Sequence, residues 1–185
     1  MNNTCITRLF RNSSSKFLNI VLNDGNVEML YGAGGEIMNG YTLTQTEAEE
    51  LLKLAKLSLI SILDFPEAGQ SKEFDVIGDT SDTVFTVLIY RGKIKLTKYN
   101  IGARIKKNSI VLLELHINPS NVHYNPDGSK IVGSHWHIYT EKYGKQLAFP
   151  AENVKDENYI INTLAFLDRF NVIKKPEIQY SMDSI

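Results

Sequence analysis

The sequence predicts an α+β domain: a curved antiparallel sheet of four to five strands with two flanking helices, preceded by a small β-hairpin unit. Three observations carry that expectation. A capped amphipathic segment opens the main body near Thr44, period-two alternation fills its middle, and a second amphipathic segment follows near Asp156. The alternating segments are joined by turns rather than helices, which favours antiparallel pairing.

In chain order, residues 17–31 read FLNIVLNDGNVEMLY, two β-prone runs around Asp24-Gly25-Asn26, residues that tolerate the positive φ of a tight hairpin. Gly32, Gly34, Gly35 and Gly40 then break the chain. Residues 1–40 therefore read as a separate hairpin module and residues 41–185 as the core domain. Thr44-Gln45-Thr46-Glu47 fits a capping box, in which hydroxyl and carboxylate satisfy free N–H groups of the first turn. Apolar residues at 48, 51, 52, 55, 59, 62 and 63 extend one helical face as far as Phe65-Pro66 and Gly69. Strands are predicted in EFDVIGD, TVFTVLIY, KIKLTKYNIGARIK, SIVLLELHI and SHWHIYTE. The last helix runs from Asp156 to Phe170, with Ile160, Ile161, Leu164, Leu167 and Phe170 inward, and the tail PEIQYSMDSI is loose or an edge strand. Helices on one sheet face leave the other face for function.

Composition narrows the function classes. Of 185 residues, 43% are hydrophobic and 22% charged, values of a globular chain rather than a disordered one. No apolar run reaches the roughly 18 residues of a membrane span. The N-terminus lacks the apolar core of a secretory signal, so a soluble protein of the cytoplasm is expected. A single cysteine, Cys5, excludes an internal disulfide framework and a thiolate zinc site. No Walker loop or dinucleotide fingerprint is present; Gly32-Ala33-Gly34-Gly35 lacks the Lys-Ser/Thr that should follow. The net charge of −1 points to no partner, but its distribution is uneven. Arg91, Lys93, Lys95, Lys98, Arg104, Lys106 and Lys107 form an acid-free run. Such a run suits a polyanion, and equally suits strands decorated with lysine against edge aggregation.

All four histidines fall between His116 and His137. Alternation puts His135, His137 and Tyr139 on one face of their strand and Trp136 and Ile138 on the other. In the preceding strand Leu112, Glu114 and His116 lie opposite the apolar Val111, Leu113, Leu115 and Ile117. If the two strands pair, Glu114, His116, His135, His137 and Tyr139 gather on one polar face with Glu141 and Lys142 at its rim. Three readings fit. Metal-free RNA cleavage would use His135 and His137 as the proton-transfer pair, Tyr139 as donor and Arg104, Lys106 or Lys142 on phosphate. Tyr90, Tyr99, Tyr124 and Trp136 would offer stacking surfaces. A metal site would use H-x-H with His116 or Glu114. Half-buried packing histidines need no chemistry at all, and His123 would then serve only the Asn125-Pro126-Asp127-Gly128 turn.

The block from Tyr90-Arg91-Gly92 through Leu112-Leu113-Glu114-Leu115, His123, Asn125-Pro126-Asp127-Gly128 and His135-Trp136-His137-Ile138-Tyr139 resembles a family of uncharacterised Gram-positive and phage proteins. The likeness covers about residues 42–175, and an acidic residue commonly stands in that family at the position of His116. In overall layout the chain is also similar to anti-CRISPR proteins that truncate or lower the guide RNA of a type II effector. The paired histidines and the acid-free basic run, with which that likeness agrees, lead to the expectation of an endoribonuclease of a phage or mobile element in the bacterial host cytoplasm. His135, His137 and Tyr139 would be catalytic, and Arg91, Lys93, Lys95, Arg104, Lys106 and Lys142 would contact RNA. It would need no metal or other cofactor. Its partners would be the guide RNA and the effector, on which residues 1–40 would dock, with a homodimer compatible with exposed strand edges. A non-catalytic binder of effector or RNA and a toxin endoribonuclease are the alternatives.

Overall fold

The structure, a computed structural model, describes residues 10–11, 17–23, 26–31, 42–152, 154 and 158–180. The chain divides into two units, Met1–Tyr41 and Thr42–Ile185. In the first, β1 (Phe10–Arg11), β2 (Phe17–Asn23) and β3 (Asn26–Tyr31) form an antiparallel sheet in that order. The pairing of β2 with β3 runs from Leu18↔Tyr31 to Asn23↔Asn26, so both β-prone runs are strands. Asp24-Gly25, Cys5 and the glycines at 32–40 lie outside the described residues.

The second unit is α+β. Its elements are α1 (Gln45–Lys53), β4 (Lys56–Ser58), β5 (Ile62–Asp64), β6 (Ser71–Gly78), β7 (Val84–Arg91), β8 (Tyr99–Ile105) and β9 (Val111–Ile117). There follow β10 (His123–Tyr124), β11 (Lys130–Ile131), β12 (His135–Ile138), β13 (Ala148–Pro150), α2 (Tyr159–Arg169), β14 (Val172–Lys174) and β15 (Glu177–Gln179). Eight strands make one sheet in the order β13-β12-β9-β8-β7-β6-β4-β14, larger than the four to five expected. Every neighbour in it is antiparallel except β14 with β4. Short strands account for the difference in size, because three residues leave little period-two signal to read. Among the described residues no helix is long and apolar enough to cross a membrane.

Alternation sorts the central strands into two faces. Phe74, Val76, Phe85, Val87, Ile89, Tyr99, Ile101, Ala103, Leu113, Leu115 and Ile117 are buried on one face with Ala48 of α1 and Phe166, Leu167 and Phe170 beside α2. The other face carries Glu73, Asp75, Thr86, Asn100, Arg104, Glu114 and His116.

Both helices differ from expectation. The capping box at Thr44 is present: Thr44 Oγ1 accepts from Glu47 N, and a Glu47 carboxylate oxygen accepts from Thr44 N. The helix nevertheless ends at Lys53, and the predicted continuation instead contains β4 (Lys56–Ser58) and the start of β5 (Ile62–Asp64). The apolar positions there satisfy period two as well as 3.6, and pairing of Leu57 with Ile77 decides for strand. In α2 the inward residues are Asn162, Thr163, Phe166 and Leu167, whereas Ile160 and Ile161 are exposed. The tail is an edge strand over Glu177–Gln179, parallel to β5.

One buried cation joins the two helix ends. Lys56 is fully buried, and its ammonium donates to Leu52 O (3.2 Å), Leu54 O (2.7 Å) and Phe170 O (2.9 Å). It also lies 5.2 Å over the Phe85 ring and 4.2 Å over the Phe170 ring. Helix C-termini present unpaired carbonyls at the negative end of the dipole, and one ammonium serves both here. Burial pushes the Lys56 amine down to about 8, so it stays largely protonated at neutral pH.

Lys56→Met should lower stability at pH 7 by about 2–4 kcal/mol in urea unfolding, because one buried and two part-buried carbonyls lose their donor. Since Lys56 holds its proton less tightly folded than unfolded, its deprotonation adds stability as the pH rises from about 8 to 10.5. The variant should lack that rise; an unchanged midpoint and slope would overturn this role.

Candidate metal centre

The pairing of β12 with β9 sets His135 opposite His116 and His137 opposite Glu114. Because side chains on one sheet face recur every second residue, the H-x-H pair and Glu114-x-His116 stand as a block of four. Ring centroids are 5.0 Å apart for His116–His135, 4.6 Å for His116–His137 and 4.9 Å for His135–His137. One ring nitrogen from each of these three histidines lies within 4.8 Å of the others. His123, from β10, brings its ring to 4.7 Å from His137 and 5.3 Å from His135. The polar face is thus roofed at this end, and His135 and His137 are 2% and 5% exposed.

Hydrogen bonds define which nitrogen is bare. His135 Nδ1 is 2.8 Å from Gly133 O, and His137 Nδ1 is 2.8 Å from Lys145 O. A carbonyl oxygen only accepts, so each Nδ1 carries the proton and each Nε2 is left as a lone pair. Both Nε2 atoms are buried without a hydrogen-bond partner. Burial, with the neighbouring His116 and His135 charges, pushes His137 down to about 4. Burial also lowers His135, against the Gly133 carbonyl, which raises it. Both rings are neutral at pH 7, the form that donates to a cation.

His116 Nε2 is 3.3 Å from Glu114 Oε1, and Lys145 Nζ is 3.1 Å from Glu114 Oε2. Burial alone would raise the Glu114 carboxyl, but His116 and Lys145 together hold it down at about 2. The Lys145-Gln146 segment therefore orients most of the cluster. Lys145 O fixes His137, Lys145 Nζ fixes Glu114 behind His116, and Gln146 O lies 3.0 Å from His123 Nε2. No signal in the sequence singled out Lys145, Gln146 or Gly133, because two of their contacts with histidine and Gly133's own are made by the main chain.

Several sequence-predicted positions fall elsewhere. Tyr139 is not on the histidine face: it is buried in the core, where its hydroxyl donates to Leu43 O and accepts from Leu43 N, each at 3.0 Å. The cause is a bulge. Ala103 pairs with Leu113 and Arg104 with Val111, so Leu112 is an extra residue and the alternation reverses beyond it. Leu112 is buried for that reason, and Tyr139, whose N–H bonds Leu112 O, turns inward with it. Glu141 likewise faces α1, accepting from Gln45 N.

Arg91 is not a surface contact for RNA either. It continues the inward series Phe85, Val87, Ile89, is 1% exposed, and packs 4.9 Å and 5.5 Å from the Tyr159 and Tyr180 rings. Arg104 is half-buried and Lys106 exposed, and both are neutralised from β6, by Glu73 at 3.0 Å and by Asp75. The run is acid-free in sequence only; across β7 the acids stand beside it. Lys95 donates to Asn118, Lys93 is exposed, and exposed Lys142 lies 4.8 Å over the Tyr143 ring. Two surface concavities, lined by Asp82, Lys106 and Lys107 and by Glu73, Asp75 and Arg104, contain no histidine. The histidine cluster lies apart from both.

Residues 43–172 match a family of unknown function, DUF6978. The chain belongs to the DUF6978 family. The matched span contains all four histidines, Glu114 and the Lys145-Gln146 segment, so the cluster is built entirely within the DUF6978 domain. Comparisons with curated proteins and with solved structures gave no match.

The stability of the protein should carry an acid-sensitive component traceable to these rings. His137 binds its proton less tightly folded than unfolded, so its stabilising contribution is full above about pH 6.5 and is lost as the pH falls through about 4. The Glu114 contribution is full above about 4.5 and is lost through about 2, a separate window. Thermal midpoints followed from pH 7 to 4 should fall less steeply in His137→Gln than in the wild type. Parallel curves would show that His137 is not held neutral by the fold.

Proposed function

We propose that the protein is a metalloprotein in which His116, His135 and His137 hold a divalent transition metal of the zinc class, for hydrolytic chemistry. The observation that carries this reading is the pair of buried Nε2 lone pairs. An unpartnered buried acceptor costs roughly 1–3 kcal/mol, and two of them converging with a third imidazole are what a cation would satisfy. The outer shell supports it: ligating imidazoles characteristically give their other N–H to a carbonyl or carboxylate. His135 and His137 use carbonyls, and His116 uses Glu114, so His116 would ligate through the nitrogen that Glu114 does not hold. All-imidazole ligation suits zinc, copper, iron or nickel rather than magnesium or calcium. Three protein ligands leave a position for water, which such a metal acidifies to near neutrality.

A second proposal keeps RNA as substrate: the protein would act on the guide RNA of a type II effector in an anti-CRISPR role, with His135 or His137 as base. It is favoured by the neutrality of both rings, the state a base requires. The same lowered proton affinity leaves little protonated ring at pH 7 to act as the acid, and it also weakens either ring as a base. End-labelled guide RNA incubated with protein and effector, with and without chelator, separates the two. Cleavage abolished by chelator joins both readings, cleavage that survives it favours metal-free catalysis, and intact RNA in every lane removes the RNA reading.

Metal analysis of the purified protein should find close to one zinc-class ion per chain after loading. His135→Ala and His137→Ala should each weaken binding by about 100-fold or more. A wild-type protein that folds yet takes up no such metal would sink the metalloprotein reading.

A further inference from the structure

We propose that His123 is a fourth, displaceable ligand of this metal, brought to it by the β10–β11 hairpin. The inference rests on the three-histidine reading above and adds which group covers the remaining position at rest. His123 stands outside the group of three whose nitrogens lie within 4.8 Å, yet its ring spacings of 4.7 and 5.3 Å are close to the 4.6–5.0 Å among the three. It follows the same hydrogen-bonding rule: Nε2 faces Gln146 O at 3.0 Å and so carries the proton, which leaves Nδ1 as the lone pair.

What places it there is the Asn-Pro-Asp-Gly turn, which otherwise has no assigned purpose. Asn125 is 8% exposed and clamps the hairpin to β13, Nδ2 donating to Ala148 O at 3.0 Å and Oδ1 accepting from Ala148 N at 2.7 Å. The turn closes through Asn125 N to Ser129 O and Gly128 N to Asn125 O, with Gly128 at φ +85°, a conformation that favours glycine. Asn125 is thus a positioning residue for His123. The three inner ligands stand on the eight-stranded sheet, whereas His123 stands on a separate two-residue strand pair. Its link to Gln146 is solvent-exposed. Of the four rings it is the one that can withdraw without disturbing the sheet, exposing the metal to water or substrate.

The test uses the full chain loaded with Co²⁺, whose visible spectrum reports ligand number and type, titrated with azide as a probe of an open position. The wild type should give a four-nitrogen tetrahedral spectrum and bind azide weakly. His123→Ala should change the spectrum to that of three nitrogens and one oxygen and bind azide at least ten-fold more tightly. Asn125→Ala should move azide affinity in the same direction by less. His123→Gln serves in its place if the alanine variant does not fold. Superimposable spectra and equal azide affinities in wild type and His123 variant would overturn the proposal while leaving the three-histidine site intact. Failure of the folded wild type to bind Co²⁺ or Zn²⁺ would overturn both.

Discussion

The structure depends most on the register of β12 against β9. Sheet geometry makes that register an all-or-none matter, since a slip of one residue exchanges the two faces of a strand. In the observed register Trp136 points into the core, stacked on Phe166 of α2 at 6.0 Å between centroids, with Arg169 4.8 Å over its ring. His135 and His137 are thereby committed to the opposite face. Hydrophobic packing on one side of the sheet thus positions the histidines on the other.

Their burial then has to be tolerated. Free imidazole pairs on a strand would ordinarily be left in water. Here the segment after β12 folds back through the Thr140–Gly144 bridge and brings Lys145 and Gln146 over them. Main-chain carbonyls are fixed partial charges that cannot titrate or rotate away, so they set tautomers more rigidly than side-chain partners would. The result is that His135 and His137 each turn a proton toward a main-chain carbonyl and keep a buried, unpartnered Nε2.

Charge is organised differently elsewhere in the same domain. Arg104 and Lys106 are balanced by Glu73 and Asp75 across β7, which makes that part of the polar face near neutral despite the basic stretch of sequence. Arg91 and Lys56 are cations of the interior, held by aromatic rings, tyrosine hydroxyls and helix-end carbonyls rather than by carboxylates. Counting charges along the chain therefore misjudges where the positive potential lies. The inward parity of Arg91 with Phe85, Val87 and Ile89 was the available clue to its burial.

Local chemistry by itself determined much of this protein. Period-two alternation in β6 to β9 and β12, the capping box at Thr44 and the hairpin strands around Asp24-Gly25 were legible because each depends on residues near in sequence. So was the gathering of His116, His135 and His137, which needed only alternation and one antiparallel pairing. Tertiary structure decided the rest. The bulge at Leu112 that turned Tyr139 into the core, the strands β4 and β5 in place of a longer first helix, and the capture of Lys56 by both helix ends follow from contacts with distant segments. The roof of His123, Lys145 and Gln146 over the histidines is of the same kind. It is held mainly through main-chain carbonyls, which every residue possesses and no sequence pattern can mark.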